Sequence, residues 1–540
     1  QQVIDAENGK GTLPDNAVLL SFDDGYETMY NVVFPLLKAY NYPAVFAPVT
    51  GWLDTPANQK IAYADKMLDR SVFATWSQVK EMEQSGLVEV ASHTHNLHNG
   101  INANPSGGQL PAVIAPEYKN GKYETEDAYK NRLKSDFAHT VQTLVNHIGK
   151  KPRVMAWPYG QFNDVAVQIA RQAGMPHYFS LGEKIVNKVG DKHIGRLLLN
   201  AETDLNTVKN YLDGIDESKQ IQRVLHVDLD YVYDADKAQQ AKNLDKLIER
   251  ISRYGVTTVY LQAFSDPDGD GVADALYFPN KYLPVRDDIF GRIAWQLQTR
   301  AGVKVYAWMP VLAFDLRKSV KEAEYVIDSR TGKPSTKAYL RLSPYNKQNV
   351  EIIKSIYNDL SFYAKFNGIL FHDDAFLTDF EGAEGDHAEG MVSPQAKQKT
   401  QDLIQLTHQL TDALKPYFLR GSYSLKTARN LYASVITNPN AEEWLAQNLK
   451  TLTDNYDTTA IMAMPYMENE QPISQQEAYQ WFASLIENVK AQAPLDKVLF
   501  EFQAVNWRTQ KPIPESELID WMTLLQKNHI YSYGYYPDNF

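Results

Sequence analysis

Short apolar runs alternate with amphipathic segments through the first part of the chain. After the run at 17–20, apolar residues recur every three or four positions from Met29 to Tyr40, and Pro43 precedes the next run at 44–47. Further strand-like runs follow at 88–91, 153–157, 177–181 and 196–199. This alternation of strand and helix is typical of a parallel sheet.

A second series of strand-like runs fills the rest of the chain. They lie at 224–231, 257–264, 303–312, 368–372, 425–432, 458–464, 497–504 and 531–536. Most are separated by helix-patterned segments, so the spacing predicts a (β/α)8 barrel, a fold that takes ~200 to over 400 residues. The polar segment 214–222 has no periodicity and separates the two series. We therefore predict an α/β protein with two domains, 1–214 and 223–540.

Composition and charge narrow the classes of function. The chain has 540 residues, of which 44% are apolar and 22% charged, so it has ample material for a core. Its net charge of −12 argues against nucleic acid or an anionic membrane as the main partner. The absence of cysteine excludes thiolate catalysis, cysteine-ligated zinc and disulfides, and no apolar run reaches membrane-spanning length. The 33 Tyr and 9 Trp suit sugar stacking, although core packing explains most of them equally well.

Two adjacent carboxylates end the first apolar run, in the sequence Ser-Phe-Asp-Asp-Gly at 21–25. One of them, Asp23 or Asp24, would cap the following helix in the commoner use of Asp at such a junction. Alternatively, a strand that delivers two acids to a turn can bring one to a metal ion and leave the other to accept a proton from water.

A histidine cluster follows the strand-like run at 88–91. His93, His95 and His98 lie within six positions, although the chain has only 12 histidines. Two imidazoles and one carboxylate would hold Zn, Ni, Co or Fe and leave coordination positions open for substrate. A solvated polar loop is the alternative.

The run at 153–157 ends in the turn Trp-Pro-Tyr-Gly at 157–160. Trp157 and Tyr159 would wall a sugar pocket there, and the turn would point a backbone N–H at a developing oxyanion. Taken alone, the same residues are explained by an ordinary turn.

In their order and strand-end positions, these three motifs resemble those of the NodB-type polysaccharide deacetylases. The resemblance implies that Asp23 is the general base and that Asp24, His93 and His98 hold a divalent metal. The usual second His follows the first by four residues, whereas His98 follows His93 by five, and His95 is a rival ligand. The longer spacing is similar to the PgaB-type branch, which deacetylates poly-β-1,6-N-acetylglucosamine during biofilm export. Members of that branch carry a His-bearing strand before the Asp-Asp motif that this sequence does not include, so the resemblance implies an incomplete first barrel.

Acidic and aromatic residues recur where the strands of the predicted second barrel end, which is where barrel active sites are built. We expect the substrate-binding residues of this barrel among Asp228, Asp230, Trp308, Tyr466, Glu501 and Trp507. Asp373 and Asp374 follow the fourth strand and are our candidates for the catalytic acid of glycosidic hydrolysis. Adjacent residues on a strand point to opposite sides, so one of them is expected to face the bond, and we favour Asp373.

Residues 266–274 resemble a calcium loop, with Asp266, Asp268, Asp270 and Asp274 at ligand spacing. Tyr277 stands where such a loop carries its bidentate Glu. Calcium is therefore one interpretation, and a rigid Asp/Gly turn is the other.

The sequence thus predicts a metal-dependent polysaccharide N-deacetylase fused to a glycoside hydrolase-like barrel. From the resemblance we expect poly-N-acetylglucosamine as substrate, an outer-membrane export porin as partner, and a periplasmic location at the outer membrane. Two alternatives stay open, namely a barrel that binds the polymer without cleaving it, and chitin or peptidoglycan as the substrate of the deacetylase.

Overall fold

The computed structural model describes residues 1–181, 186–191, 193–200, 203–212, 221–335, 337–381, 392–420, 424–469 and 471–537. The chain forms two compact units, one of residues 1–217 with 417–424 and the other of residues 218–416 with 425–540. The predicted boundary segment 214–222 lies mostly outside the described residues, so the domain limits 1–214 and 223–540 stay predictions.

Six parallel strands form the centre of the first unit. They are β1 (Leu20–Asp24), β2 (Ala44–Pro48), β3 (Val88–Val90), β4 (Val154–Ala156), β5 (His177–Leu181) and β6 (Ile194–Arg196). They lie in two three-stranded sheets, β1-β2-β3 and β4-β5-β6. The sheets meet at Ser92, whose N–H donates to Val154 and whose carbonyl accepts from Ala156. No pairing of β6 with β1 occurs among the described strands, so the array is an incomplete barrel.

The strand ends differ from the predicted runs in two places. The first strand begins at Leu20, where the apolar run 17–20 ends, and Val18 is exposed. Asp23 and Asp24 are therefore the last residues of β1 rather than the start of a loop. The predicted strand at 196–199 ends at Arg196, and Leu198 and Leu199 are exposed, so these two residues lie outside the sheet.

The α-helices of seven or more residues among the described residues of this unit are α1 (Phe34–Tyr40), α2 (Trp76–Gln84), α3 (Glu126–Ile148), α4 (Asp164–Gln172) and α5 (Leu205–Leu212). Local sequence sets their ends. A capping box of Thr75 and Gln78 begins α2. Thr125 caps α3, and Gly149 ends it in the left-handed conformation that glycine adopts without strain.

The second unit is a closed barrel of eight parallel strands. These are β7 (Arg223–Val227), β8 (Thr258–Gln262), β9 (Lys304–Met309), β10 (Gly368–Phe371), β11 (Lys426–Tyr432), β12 (Thr458–Ala463), β13 (Val498–Gln503) and β14 (Tyr533–Tyr536). Each pairs with the next along the chain, and β14 pairs back to β7 with Val224 opposite Gly534. All eight predicted strands are confirmed. The first is shorter than predicted because a short helix begins at Leu229.

One helix of seven or more residues follows each of the first seven barrel strands. They are α6 (Lys237–Arg253), α7 (Phe290–Arg300), α8 (Lys347–Tyr363), α9 (Pro394–Leu414), α10 (Leu449–Asn455), α11 (Gln475–Gln492) and α12 (Glu515–Lys527). In the part of the chain that the structure describes, no helix is both long and apolar enough to cross a membrane.

Close packing around Gly368 in the barrel wall leads us to expect that a larger residue there destabilises the fold. A Cβ on Gly368 would lie 2.8 Å from the Lys426 carbonyl oxygen and 2.8 Å from the Tyr306 ring. Because neither neighbour can move without disturbing the sheet, Gly368→Ala is expected to destabilise the barrel by about 1–3 kcal/mol. Urea unfolding measures this change.

The matched control is Gly291→Ala in α7, where the nearest atom to a new Cβ is 3.5 Å away. There the gain in helix propensity should leave the stability unchanged or raise it by up to about 1 kcal/mol. Equal effects of the two substitutions would contradict the steric argument.

Candidate functional site

Three potential metal ligands converge at the carboxyl ends of β1 and β3. The Nε2 atom of His93 lies 3.4 Å from Oδ1 of Asp24, and the Nε2 atom of His98 lies 3.3 Å from the same oxygen. One ligand atom from each residue falls within 4.8 Å of the others. Because two imidazole nitrogens and one carboxylate oxygen are a donor set that divalent transition metals prefer, these residues fit such an ion.

The two imidazoles of the site differ in protonation. Nδ1 of His93 donates to the carbonyl of Ala156 at 2.7 Å, since a carbonyl only accepts, and Nε2 is therefore the nitrogen that faces Asp24. Burial and the charge of His93 lower the pKa of His98 to about 4, so this ring is neutral at pH 7. Burial lowers the pKa of His93, but the charge of Asp23 and the contact with Asp24 raise it further, so the net shift is upward. A raised pKa favours a proton on Nε2 of His93, and an ion bound between His93 and Asp24 would displace that proton.

Asp23 is held by an arginine from the far end of the unit. Arg196, the last residue of β6, donates to both carboxylate oxygens of Asp23 at 2.8 Å and to Ser21 at 3.0 Å. Burial would raise the pKa of Asp23, but the charge of His93 and the hydrogen bonds from Arg196 outweigh it and keep the pKa below its ordinary value. Asp23 is therefore a fixed carboxylate beside the three ligands.

The rival ligand His95 lies elsewhere. Its Nδ1 is 2.9 Å from the Thr50 hydroxyl, and its ring stacks on His139 with centroids 4.1 Å apart. Among the described residues, the structure thus brings His98 and not His95 to Asp24.

The backbone around this site is strained at three positions. Asp24, Thr94 and Tyr159 have positive φ angles of 72°, 71° and 58°, which cost free energy for residues other than glycine. Gly160 follows Tyr159, and a Cβ there would lie 2.5 Å from Leu181. Such strain concentrates at functional sites, because the surrounding structure holds a side chain in a required position.

The two aromatic residues of the turn have different environments. Tyr159 is 41% exposed, and its ring centroid lies 4.5 Å from that of His98, so it borders the site, and its contact with a sugar stays a prediction. Trp157 is fully buried and stacks on Phe162. The prediction that Trp157 walls a sugar pocket is therefore wrong, because its ring belongs to the core beneath the turn.

Sequence reasoning missed two residues of this site. Arg196 had a signal, since it begins the strand-like run 196–199 and a buried carboxylate needs a cation. Tyr63 had none. It lies on the antiparallel hairpin of Lys60–Tyr63 and Lys66–Asp69, and its hydroxyl donates to Oδ2 of Asp24 at 2.8 Å.

In the barrel, the two adjacent acids after β10 have distinct surroundings. Asp374 is completely buried and accepts backbone N–H bonds from Val311, Leu312 and Ala313 at 2.6–3.0 Å. Its charge therefore holds the loop that follows β9. The side chain of Asp374 has no exposed surface.

Asp373 is surrounded by side-chain donors. The hydroxyls of Tyr339 and Tyr432 donate to it at 3.0 and 2.9 Å, and Nε2 of His372 lies 3.0 Å away. Burial would raise the pKa of Asp373, but the charge of His372 lowers it further, so this group is ionised at neutral pH. The pKa of His372 is correspondingly raised to about 10, since the attraction of Asp373 exceeds the effect of burial. Tyr339 gave no signal in the sequence, because it lies in a loop, whereas Tyr432 ends β11 and had the signal of an aromatic residue at a strand end.

Several other residues that we predicted to bind substrate lie in the same barrel as Asp373 and His372. Trp308 is buried, with its ring centroid 4.4 Å from that of His226 and 5.3 Å from that of His372. Glu501 is buried beside Asn430, whose amide donates to it at 2.7 Å, and burial raises its pKa to about 8.

Asp228 is also buried, and it accepts one long hydrogen bond among the described residues, from Tyr536 at 3.5 Å. Burial and the charge of Asp230 raise the pKa of Asp228 to about 7. Trp507 lies at the rim, 6.1 Å from the Tyr536 ring. The hydroxyl of Tyr466 donates to Glu517 at 2.6 Å. The barrel thus places weakly partnered acids among aromatic rings.

Asp230 is not available to bind substrate, because other residues of the barrel already contact its carboxylate. It forms an ion pair with Arg286, and it accepts from Ser265, Tyr277 and the N–H of Asp266. Because all of these bonds brace the rim loops, the prediction that Asp230 binds substrate is corrected to a structural role.

The acidic loop at 266–274 brings Asp266, Asp268 and Asp270 together, with ligand atoms within 4.8 Å. Asp266 already accepts the N–H groups of Gly269, Asp270 and Gly271. These bonds are those of a rigid turn, and calcium binding stays a prediction.

Known protein families match both halves of the chain. The family model for polysaccharide deacetylase matches residues 10–178, and the model for hypothetical glycosyl hydrolase family 13 matches residues 226–536. Poly-beta-1,6-N-acetyl-D-glucosamine N-deacetylase of Escherichia coli (strain K12) is 40% identical over 565 residues, which cover 100% of this chain and 83% of that protein.

Two solved structures cover the separate halves. The PgaB (BpsB) glycoside hydrolase domain from Bordetella bronchiseptica aligns with a TM-score of 0.54 and 39% identity, over 59% of this chain and 95% of that domain. A de-N-acetylase from Aggregatibacter actinomycetemcomitans is 66% identical over 39% of this chain and 80% of that chain, with a TM-score of 0.38. The 40% identity over the whole chain and the two family models show that the chain belongs to the poly-β-1,6-N-acetyl-D-glucosamine N-deacetylase family, in which a NodB-type polysaccharide deacetylase domain is followed by a glycoside hydrolase-like barrel.

Proposed function

We propose that the first unit removes acetyl groups from poly-β-1,6-N-acetylglucosamine with the help of one divalent transition metal. The observation that carries this proposal is the convergence of Asp24, His93 and His98 on one point, with the ionised carboxylate of Asp23 beside it. Family membership supports the choice of polymer over chitin or peptidoglycan.

The residues have separate tasks in amide hydrolysis. Asp24, His93 and His98 would hold the ion, which supplies Lewis acidity to the acetyl carbonyl and lowers the pKa of a water molecule. Asp23 accepts the proton of the attacking water, and Arg196 keeps its carboxylate oriented. Tyr159 borders the site and excludes water from one side of the sugar. The products are acetate and a glucosamine residue whose amine becomes an ammonium group.

We propose further that the barrel binds this partly deacetylated polymer and hydrolyses its glycosidic bonds. Because Asp373 is ionised, it suits the second carboxyl group of the reaction and not the proton donor that we predicted from the sequence. Glycosidic hydrolysis passes through a cationic transition state, which this carboxylate would stabilise. It also needs a carboxyl group that carries a proton near neutral pH. Glu501 and Asp228 meet this condition, with pKa values of about 8 and 7.

The weakly partnered carboxyl group of Asp228 also suits an ammonium ligand. An approaching cation lowers the pKa of a buried acid and stabilises its ionised form. The barrel and the deacetylase would thus act in sequence, since the first unit makes the cationic residues that the second recognises. Family membership alone leads us to propose a periplasmic location and an export porin as partner.

The first prediction separates the two candidate histidine ligands. His98→Ala is expected to lower deacetylation more than about 100-fold, because even outer-shell partners of a metal are worth about 10- to 100-fold. His95→Ala should retain most of the activity, since His95 contacts Thr50 and His139 instead of Asp24. Acetate release from N-acetylglucosamine oligomers, with metal content determined in parallel, measures both effects.

Removal of the metal with a chelator should abolish deacetylation by the unmodified protein, and Zn, Ni, Co or Fe should restore it. Full activity of His98→Ala, or of the chelated protein, would contradict the proposed metal site.

The second prediction distinguishes the adjacent acids of the barrel. Asp373→Asn should abolish cleavage of partly deacetylated polymer, at least about 100-fold, because Asn carries no charge to stabilise the transition state. Asp374→Asn should instead lower stability, since hydrogen bonds to a charged group are worth about 1.5–3 kcal/mol and Asp374 holds three backbone N–H groups. Product sizing by mass spectrometry and thermal unfolding measure the two effects.

The same product sizing tests the alternative that the barrel is a binding module. If the unmodified protein leaves the chain length unchanged, the barrel binds without cleaving. Unchanged cleavage by Asp373→Asn would reject this residue as the catalytic carboxylate.

The third prediction concerns stability and pH. Glu501 titrates near 4.5 as a free side chain and at about 8 in the fold. Between these pH values the folded state holds a proton that the unfolded state has released, so stability falls as pH rises from about 4.5 to 8. Glu501→Gln should remove this contribution and stabilise the protein more at pH 8 than at pH 5. Urea unfolding at both pH values measures the difference.

Glu515→Gln, at an exposed residue of α12, is the control and should have the same small effect at both pH values. An effect of Glu501→Gln that does not change with pH would contradict the raised pKa.

A further inference from the structure

Tyr63 contacts the candidate metal ligand Asp24 on the side away from the histidines. Its hydroxyl donates to Oδ2 of Asp24 at 2.8 Å, whereas Oδ1 is the oxygen near which both Nε2 atoms lie. The two oxygens of this carboxylate therefore have different partners. A carboxylate whose second oxygen accepts a hydrogen bond is disfavoured from binding an ion through both oxygens at once.

Aromatic packing fixes the position of the Tyr63 hydroxyl. The ring centroid of Tyr63 lies 5.4 Å from that of Trp52, 6.0 Å from that of Tyr26, and 6.0 Å from that of His98, with the His98 ring nearly parallel to it. Trp52 in turn packs edge-on against His98 at 5.0 Å. Because Trp52 is buried in the core of the first unit, this group of rings is held firmly. One side chain thus contacts two of the three candidate ligands.

We propose that Tyr63 is a positioning residue that holds Asp24 as a ligand through Oδ1 alone and steadies the ring of His98. The inference rests on the proposed metal dependence of the first unit. Its consequence is chemical, since a ligand that uses one oxygen leaves more coordination positions for water and substrate than one that uses two.

The test is Tyr63→Phe, which removes the hydroxyl and keeps the ring. Metal affinity of the full chain, measured with Zn²⁺ by competition against a chelator, should fall roughly 10- to 100-fold, the range for loss of an outer-shell partner. With Co²⁺ as a probe, the visible absorption should weaken, because a second carboxylate oxygen raises the coordination number. Deacetylation at limiting metal should fall by a similar factor and recover in excess metal.

Tyr30→Phe is the matched control. The hydroxyl of Tyr30 also donates to a carboxylate, Glu81, at 2.7 Å, but Glu81 lies outside the ligand set. This variant should keep the metal affinity and the cobalt spectrum of the unmodified protein. Thermal unfolding of both variants shows whether either substitution disturbs the fold.

The possible failures are distinct. If the unmodified protein binds no Zn²⁺ or Co²⁺ at the site, the proposed metal dependence is wrong and the inference falls with it. If the unmodified protein binds metal and Tyr63→Phe binds it equally well with the same cobalt spectrum, metal dependence stands and the role of Tyr63 is rejected. A loss of affinity shared by Tyr30→Phe would also reject that role.

Discussion

The first unit depends on how one short strand presents two carboxylates. Asp23 and Asp24 end β1, so their side chains leave the backbone on different sides. Asp23 meets Arg196 at the end of β6, and Asp24 meets His93 and His98 from the loop after β3. The left-handed conformation of Asp24 is part of this arrangement, because it turns the second carboxylate toward the histidines.

The parallel sheet accounts for the other members of the site. In parallel strands the carboxyl ends lie at one edge of the sheet. Residues at or just after the ends of β1, β3, β4 and β6 therefore meet, although they are far apart in the chain. The hydrogen bond from His93 to Ala156 shows this directly, since it joins the loop after β3 to the end of β4. The closed barrel follows the same rule, and it gathers Asp228, Trp308 and Asp373 at one end.

Electrostatics distinguish the two units. In the first, burial and the charge of His93 keep His98 neutral, and His93 with Arg196 keeps Asp23 ionised against the effect of burial. This combination suits a metal ligand and a base. In the barrel, Asp373 is ionised through His372, whereas burial keeps a proton on Glu501 at neutral pH. Carboxyl groups with similar intrinsic pKa values thus acquire different protonation states, because their surroundings differ in charge and exposure.

The sequence by itself determined the sheet and barrel pattern and the positions of Asp23, Asp24, His93 and Asp373. Hydrophobic periodicity and strand ends are local features of the sequence. The order of the motifs and their positions at strand ends indicated which of these residues take part in chemistry. Only the tertiary structure decided that His98 lies beside Asp24 and that Trp157 is in the core. It also decided that Asp230 forms an ion pair with Arg286. Arg196, Tyr63, Tyr339 and Tyr432 likewise entered their sites only through the fold. Their partners are distant in sequence, and no local pattern records a contact that packing alone creates.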